Sequence, residues 1–265
     1  MGTKNEYLPT KCWIEDGKIH KAYFEYEKWL DESPRDWCNL SVIVNASKYG
    51  LDGDGDIKID RYSGEEWLIN ATGIDENWYY ANKERYGGID ALAAKFEREK
   101  CVAFEWLTVY DHSGITVSCG RASGWDYSWV GFVYVPKDNE EVKAYRKSHT
   151  LKETKEWASR ILHSEIHTLD QYCRGDVYCC VEEVYDKDTD SWEQEDCIGY
   201  IYLNDDTCEH EKEDAISCIR DNFAGKKELF DSDVVDKAIE LDAVENLLGQ
   251  GSFDFMKEIL GEVAV

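Results

Sequence analysis

The stretch CVAFEWLTVYDHSGITVSCGRASGWDYSWVGFVYVP, residues 101–136, decides the fold. Its first two apolar runs, 101–110 and 114–119, are rich in the β-branched and aromatic residues that favour strands. The polar residues between them indicate a tight turn, so the two runs are predicted to form a hairpin. A third strand is predicted at 129–135, and Pro136 ends it because proline cannot donate to a sheet's hydrogen-bond ladder.

Further strands are predicted on both sides of this stretch. Each combines β-branched or aromatic residues with an adjoining polar turn. They lie at 12–27, which forms two strands about the Asp16-Gly17 turn, and at 40–46, 56–62, 176–186 and 191–203.

Two capping signatures predict where helices begin. Thr150 followed by Glu153 is typical of a capping box and opens a helix over 150–170, and Ser63 with Glu66 opens a shorter one. Other helices are predicted at 90–100, 209–223, 231–248 and 253–261.

Hairpins mixed with segregated helices predict an α+β fold, with antiparallel sheets, packed helices and an acidic helical C-terminal tail. We expect one domain over 1–225, which has a candidate subdivision near 136–150, followed by the tail at 226–265.

The charge limits the partners that this protein can bind. Its 265 residues include 56 acidic and 30 basic side chains, a net charge of −26 at pH 7. The excess is concentrated at 182–214, where 14 acidic side chains face only Lys187 and Lys212. DNA, RNA and anionic membranes repel such a chain, so we expect a basic protein surface or a cation as its partner. No apolar run approaches the roughly 18 residues that cross a bilayer, and the first residues lack a secretory signal, so we expect a cytoplasmic protein.

Metal and cofactor motifs are incomplete. Asp52, Asp54 and Asp56 resemble the start of a calcium loop, but Ile57 and Ser63 occupy the positions that require Gly and Glu. His163 and His167 lack the glutamate of a zinc-protease helix, and the chain contains no Cys-x-x-Cys pair or phosphate-binding loop. A zinc set of Cys197, Cys208 and His210 is a weak alternative. The sequence therefore predicts no metal, no cofactor and no enzymatic activity.

The turn at Asp111, His112 and Ser113 contains the residue types of a hydrolase triad. Adjacent residues on a tight turn cannot easily approach one another as nucleophile, base and orienting group. A hydrogen-bonded turn is the favoured interpretation, and a hydrolase is an alternative.

Four runs of the sequence resemble a family of acidic proteins carried by phages and conjugative elements of Gram-positive bacteria. The resemblance extends in matching order over about residues 33–225, and its most specific parts are YDHSGIT (110–116) and QYxxGDVY (171–178). Residues 120–128 depart from the Cys-Pro-Trp-Asp-Ser-Gly form of that family. The runs are SPRDWCNLSVIVNASKYGLDGD (33–54), LTVYDHSGITVSCGRASGWDYSWVGFVYVPKD (107–138), LDQYCRGDVYCCVEEVYD (169–186) and DCIGYIYLND (196–205). The resemblance implies a mobile-element origin, where small acidic proteins often counter host defence.

Acidity and resemblance together predict an inhibitor of a host defence system that targets nucleic acid, such as a CRISPR effector or a restriction enzyme. The inhibitor would act in the bacterial cytoplasm and occupy a basic nucleic-acid groove by charge mimicry. Its predicted contact surface consists of Glu182, Glu183, Asp186, Asp188, Asp190, Glu193, Glu195, Asp196, Asp205, Asp206, Glu209, Glu211, Glu213 and Asp214. The main alternative is a phage assembly or binding module that uses Trp125, Tyr127 and Trp129 as hot spots.

Overall fold

The strands form two separate sheets in a computed structural model of the chain, which describes residues 11–15, 18–112, 114–186 and 191–202. The described residues within 1–29 and 176–265 cluster as one compact unit, and those within 30–175 as a second. The boundaries between units therefore fall at 29/30 and 175/176, not near 136–150. The predicted acidic tail at 226–265 lies outside the described residues, as do the helices predicted at 209–223, 231–248 and 253–261.

The first unit contains an antiparallel sheet that joins strands from two distant parts of the sequence. Its strands are β1 (Lys11–Glu15), β2 (Lys18–Tyr26), β8 (Tyr178–Asp186) and β9 (Ser191–Ile201), in the order β1-β2-β8-β9. The strands predicted at 12–27, 176–186 and 191–203 are thus confirmed. They pair as two hairpins, β1-β2 and β8-β9, which the pairing of β2 with β8 joins.

The second unit contains a five-stranded sheet in the order β4-β3-β7-β5-β6. Its strands are β3 (Val42–Asn45), β4 (Ile57–Lys58), β5 (Cys101–Asp111), β6 (Ile115–Cys119) and β7 (Tyr127–Pro136). The hairpin predicted within 101–119 is confirmed, and β7 pairs antiparallel with β5. The predicted strand at 56–62 shortens to the two residues of β4, which pair in parallel with β3.

Helices cover both faces of this sheet. They are α1 (Gly64–Thr72), α2 (Glu76–Tyr86), α3 (Gly88–Lys100), α4 (Glu140–Arg146) and α5 (Leu151–Arg174). Leu162, Ile166 and Leu169 of α5 pack with valines from one sheet face, including Val133 and Val135. On the other face α1, α2 and α3 enclose an aromatic core that includes Tyr79, Phe96 and Phe132. The α+β class is confirmed.

The two capping signatures behave differently. Thr150 and Glu153 form the full capping box at the start of α5, with reciprocal side-chain to backbone hydrogen bonds. Ser63 precedes α1 as predicted, but its side chain does not cap the helix and donates instead to the Asp60 carbonyl at 2.7 Å. Among the described helices, none is both long enough and apolar enough to span a bilayer.

Candidate functional site: an acidic pair of strands

The paired strands β8 and β9 carry six acidic residues and no lysine or arginine. Three of the carboxylates, those of Glu193, Glu195 and Asp196, are exposed within four consecutive residues of β9. In the part of the chain that the structure describes, β9 is an edge strand of its sheet. Successive side chains on a strand point to opposite faces, but a register shift beside Glu182 and Glu183 interrupts that alternation in β9.

Glu182 is not part of an exposed surface. Its side chain is fully buried on β8, and His20 Nδ1 on the neighbouring strand β2 lies 2.9 Å from its Oε1 atom. A carboxylate that is out of contact with solvent cannot reach a partner's groove, so the predicted contact surface excludes Glu182. The physical reason is that the face of β8 bearing Glu182 and Cys180 is buried.

Glu183 lies on the other face of β8 and is half-buried. Burial and then the negative charges of Glu183 and Glu25 raise the pKa of the Tyr23 phenol. Tyr23 also hydrogen-bonds the Glu183 carboxylate, which fixes that carboxylate beside β2. Glu183 is therefore a partly shielded member of the acidic strands.

The remaining predicted contact residues lie partly or wholly outside the described residues. Asp186 ends β8, and its side chain is outside the described residues. Asp188, Asp190, Asp205, Asp206, Glu209, Glu211, Glu213 and Asp214 lie outside the described residues altogether.

The two units differ strongly in charge. Residues 30–175 hold 25 acidic and 18 basic side chains, a net charge of −7. Residues 1–29 and 176–265 hold 31 acidic and 12 basic side chains, a net charge of −19. Most of the charge surplus therefore belongs to the unit that contains β8 and β9.

One group of side chains on this sheet has the composition of a metal site. The potential ligand atoms of His20, Glu182 and Glu195 lie within 4.8 Å of one another. They come from β2, β8 and β9, so strand pairing brings together residues that are 162 positions apart in sequence, His20 and Glu182. No local spacing in the sequence could have revealed this group.

Two cysteines of the same sheet, Cys179 and Cys197, have thiol pKa values raised above the ordinary range. Burial is the main cause that raises the pKa of Cys179 to about 12. Burial and nearby carboxylates also raise the pKa of Cys197, whose thiol hydrogen-bonds Cys179. Cys208 and His210, the other members of the weak zinc alternative, lie outside the described residues.

In the Asp111–Ser113 turn, the two described residues contact different groups. Tyr49 Oη donates to Asp111 Oδ2 at 2.6 Å, and His112 Nδ1 lies 3.5 Å from Asp126 Oδ2. Ser113 lies outside the described residues. The Asp111 carboxylate thus ties β5 to the loop of Tyr49, which agrees with a structural turn.

In the Asp-rich loop that contains Asp52, Asp54 and Asp56, one carboxylate binds the buried Arg35 side chain. Asp56 accepts hydrogen bonds from the Arg35 guanidinium and from the backbone N–H groups of Ile43 and Gly53. Asn45 donates to the Asp52 carboxylate, and Lys58 lies 3.5 Å from it. Two of the three aspartates, Asp52 and Asp56, therefore have charged or polar partners within the protein.

The three aromatic residues of the alternative binding module, Trp125, Tyr127 and Trp129, differ in their exposure. Trp125 is wholly exposed and Tyr127 is 42% exposed. Trp129 instead packs inward against Trp106 and closely approaches Gly64. Trp125 and Tyr127 are therefore more accessible to a partner than the half-buried Trp129.

Comparison with protein-family models, with curated proteins and with solved structures finds no match to this chain.

Proposed function

We propose that this protein inhibits a host nucleic-acid-targeting defence enzyme by placing its acidic strands in that enzyme's basic groove. The observation that carries the proposal is the row of exposed carboxylates on β9, in a unit with a net charge of −19. Enzymes that bind DNA or RNA hold the phosphates in grooves lined with Lys and Arg. An anionic protein surface is complementary to such a groove.

The spacing of these charges supports the proposal. A strand rises about 3.3 Å per residue, so Glu193, Glu195 and Asp196 span roughly 10 Å. One strand of duplex DNA carries a phosphate per about 3.4 Å of helix axis, which gives about three phosphates over the same length. The two strands β8 and β9 themselves contain no Lys or Arg, which keeps the net charge of this pair of strands negative.

The proposed mode of action is competition for the groove. Charge attraction steers association and makes it fast, and dissolved salt screens that attraction. The inhibitor and the nucleic acid would then exclude each other from the same enzyme. The protein itself would not bind DNA or RNA, because both carry the same sign of charge.

A charge-matched pair of variants tests the proposal. In Glu193→Lys/Asp196→Lys the β9 surface is reversed, whereas Glu84→Lys/Glu156→Lys makes the same change in net charge on exposed helical positions of the other unit. Cleavage of DNA by CRISPR effectors and restriction enzymes is measured with each variant at low and moderate salt. We expect the β9 variant to inhibit at least about tenfold less well than the wild type, and the helical variant to resemble the wild type.

Two results would overturn charge mimicry. One is equal loss of inhibition in both variants, because net charge alone would then explain it. The other is inhibition that does not weaken as salt rises, because a charge-based complex must respond to screening.

A binding module that uses aromatic contacts is a second candidate, favoured by the complete exposure of Trp125. Tryptophan is enriched among the residues that dominate binding energy at protein interfaces. This candidate predicts a complex that persists at high salt and is lost in Trp125→Ala. The β9 double variant would leave that complex intact.

A further inference from the structure

We propose that His20, Glu182 and Glu195 form a binding site for one divalent transition-metal ion. This inference goes beyond the proposed function, because it concerns the isolated protein and needs no partner. The three residues lie on adjacent strands β2, β8 and β9, and the first two are buried.

The distances between the ligand atoms fit one ion. His20 Nδ1 lies 2.9 Å from Glu182 Oε1 and 3.6 Å from Glu195 Oε2, and the three ligand atoms are all within 4.8 Å of one another. Two ligand atoms that are each about 2.1 Å from one ion are separated by roughly 3 to 4.2 Å in ordinary coordination geometries. The Glu195 side chain is 48% exposed, so it has room to make the small adjustment that closure around an ion requires.

The arrangement of two carboxyl groups around one imidazole nitrogen also favours an ion. Nδ1 of His20 faces two carboxyl groups, and a single N–H on that atom makes only one well-directed hydrogen bond at a time. A dication would interact with the nitrogen and with both carboxyl groups together. It would also offset the cost of holding the Glu182 carboxylate at 0% exposure, which is high for any buried charge.

The backbone positions these ligands in advance. Glu182 pairs with Asp196 and Glu183 pairs with Gln194, so Glu195 is the extra residue of a β-bulge. Bulges redirect a side chain, and here the redirected side chain reaches the imidazole across β8. His20 and Glu182 lie on the two central strands of the sheet, β2 and β8, whereas Glu195 lies on the edge strand β9.

The ligand set selects the class of ion. Imidazole suits Zn²⁺, Fe²⁺ and related ions, whereas carboxylates also suit Mn²⁺. Mn²⁺ is the better probe for this chain, because its preference for oxygen ligands avoids the ten cysteines that would bind Zn²⁺.

The test is a titration of the chelator-treated full-length protein with Mn²⁺, followed by electron paramagnetic resonance at a salt concentration that screens the general negative charge. We expect one equivalent to bind, and Glu195→Gln to weaken the affinity at least about tenfold. The matched control is Glu193→Gln, which removes the same charge from the same strand two residues away and should change the affinity less than about threefold. Electron spin echo measurements should show modulation by an imidazole nitrogen, which His20→Gln removes.

The proposal is overturned if the two glutamine variants bind Mn²⁺ equally well, or if the wild-type echo shows no nitrogen modulation. Circular dichroism and Tm confirm that each variant is folded. Should His20→Gln fail to fold, the Glu195→Gln comparison and the wild-type echo still decide the question. The variant Glu193→Lys/Asp196→Lys leaves all three ligands in place, so failure of charge mimicry and failure of the metal site give different results.

Discussion

Arg35 and Asp56 form a two-pronged ion pair in which each side chain is only 1% exposed. Arg35 Nε donates to Asp56 Oδ2 at 2.9 Å, and Nη2 donates to Oδ1 at 2.7 Å. The same guanidinium donates to the Ser41 carbonyl, and Glu165 accepts from the backbone N–H groups of Leu40 and Ser41. Within the second unit, this network joins the segment 33–56, which includes strand β3, to helix α5.

Removal of one partner from this pair is expected to destabilise the protein severely. Asp56→Ala leaves a buried guanidinium without its carboxylate and should lower the free energy of unfolding by about 3–5 kcal/mol. Asp54→Ala is the control, since Asp54 is exposed on the same loop and should change stability by less than about 0.5 kcal/mol. Urea denaturation measures both, and equal losses would contradict a specific role for the pair.

Gly131 is expected to tolerate no side chain. Its φ is +141°, and a Cβ built there would lie 1.9 Å from the Val44 carbonyl oxygen on the paired strand β3. Gly131→Ala combines backbone strain with a collision between strands, and we expect a loss of about 3 kcal/mol or more. Gly50→Ala is the matched control, because no atom lies within 4 Å of its added Cβ. Thermal unfolding of the two variants should separate them clearly, and similar Tm values would refute the close approach.

The two capping signatures should differ in their contribution to stability. Thr150→Ala removes a hydroxyl that accepts from the Glu153 N–H group and should cost about 1 kcal/mol. Ser63→Ala removes a hydroxyl that donates to the Asp60 carbonyl without capping α1, so a loss of only a few tenths is expected. Denaturant titration of both variants measures the difference, and a larger loss in Ser63→Ala would contradict this assignment.

The reactivity of Cys119 is expected to depend steeply on pH. Burial, with a smaller contribution from Glu105, raises the pKa of its thiol to about 12. Only the thiolate reacts, so the fraction available at pH 8 is about 10⁻⁴ and rises about tenfold with each pH unit. Alkylation of native protein, mapped by mass spectrometry, should therefore spare Cys119 at pH 8 and accelerate through pH 10 without levelling off.

The exposed Cys38 is an internal reference for this experiment, and urea-unfolded protein should lose the protection of Cys119. Rapid labelling of Cys119 at pH 8 in the folded protein would contradict the raised pKa of its thiol.

The parts of the fold that the sequence predicted are those with strong local signals. The hairpin within 101–119 and the long helix α5 both combine a clear apolar pattern with a turn or cap. Helix α2 was missed because it is polar and aromatic throughout, and Tyr79 is its single buried residue. Helix α4 is seven residues long and buries only Val142, which leaves almost no periodic pattern to detect.

The candidate site was less predictable because it depends on pairing between distant strands. The run Tyr178–Asp186 does not alternate between apolar and polar residues, so its pattern could not show which of Glu182 and Glu183 faces inward. The contact between His20 and Glu182 requires β2 to pair with β8, and no local rule specifies that pairing. Charge counts located the acidic region correctly in sequence but could not distinguish a buried carboxylate from an exposed one.

The pairing of β2 with β8 also has a consequence for biosynthesis. Residues 30–175 form a continuous segment that can begin to fold as it leaves the ribosome. The acidic sheet cannot close until the ribosome has translated β8, about 150 residues after β2, so the first hairpin must wait for its partner. Premature termination after α5 would thus yield a chain without β8 and β9, which carry the proposed inhibitory surface and two of the three proposed metal ligands, Glu182 and Glu195.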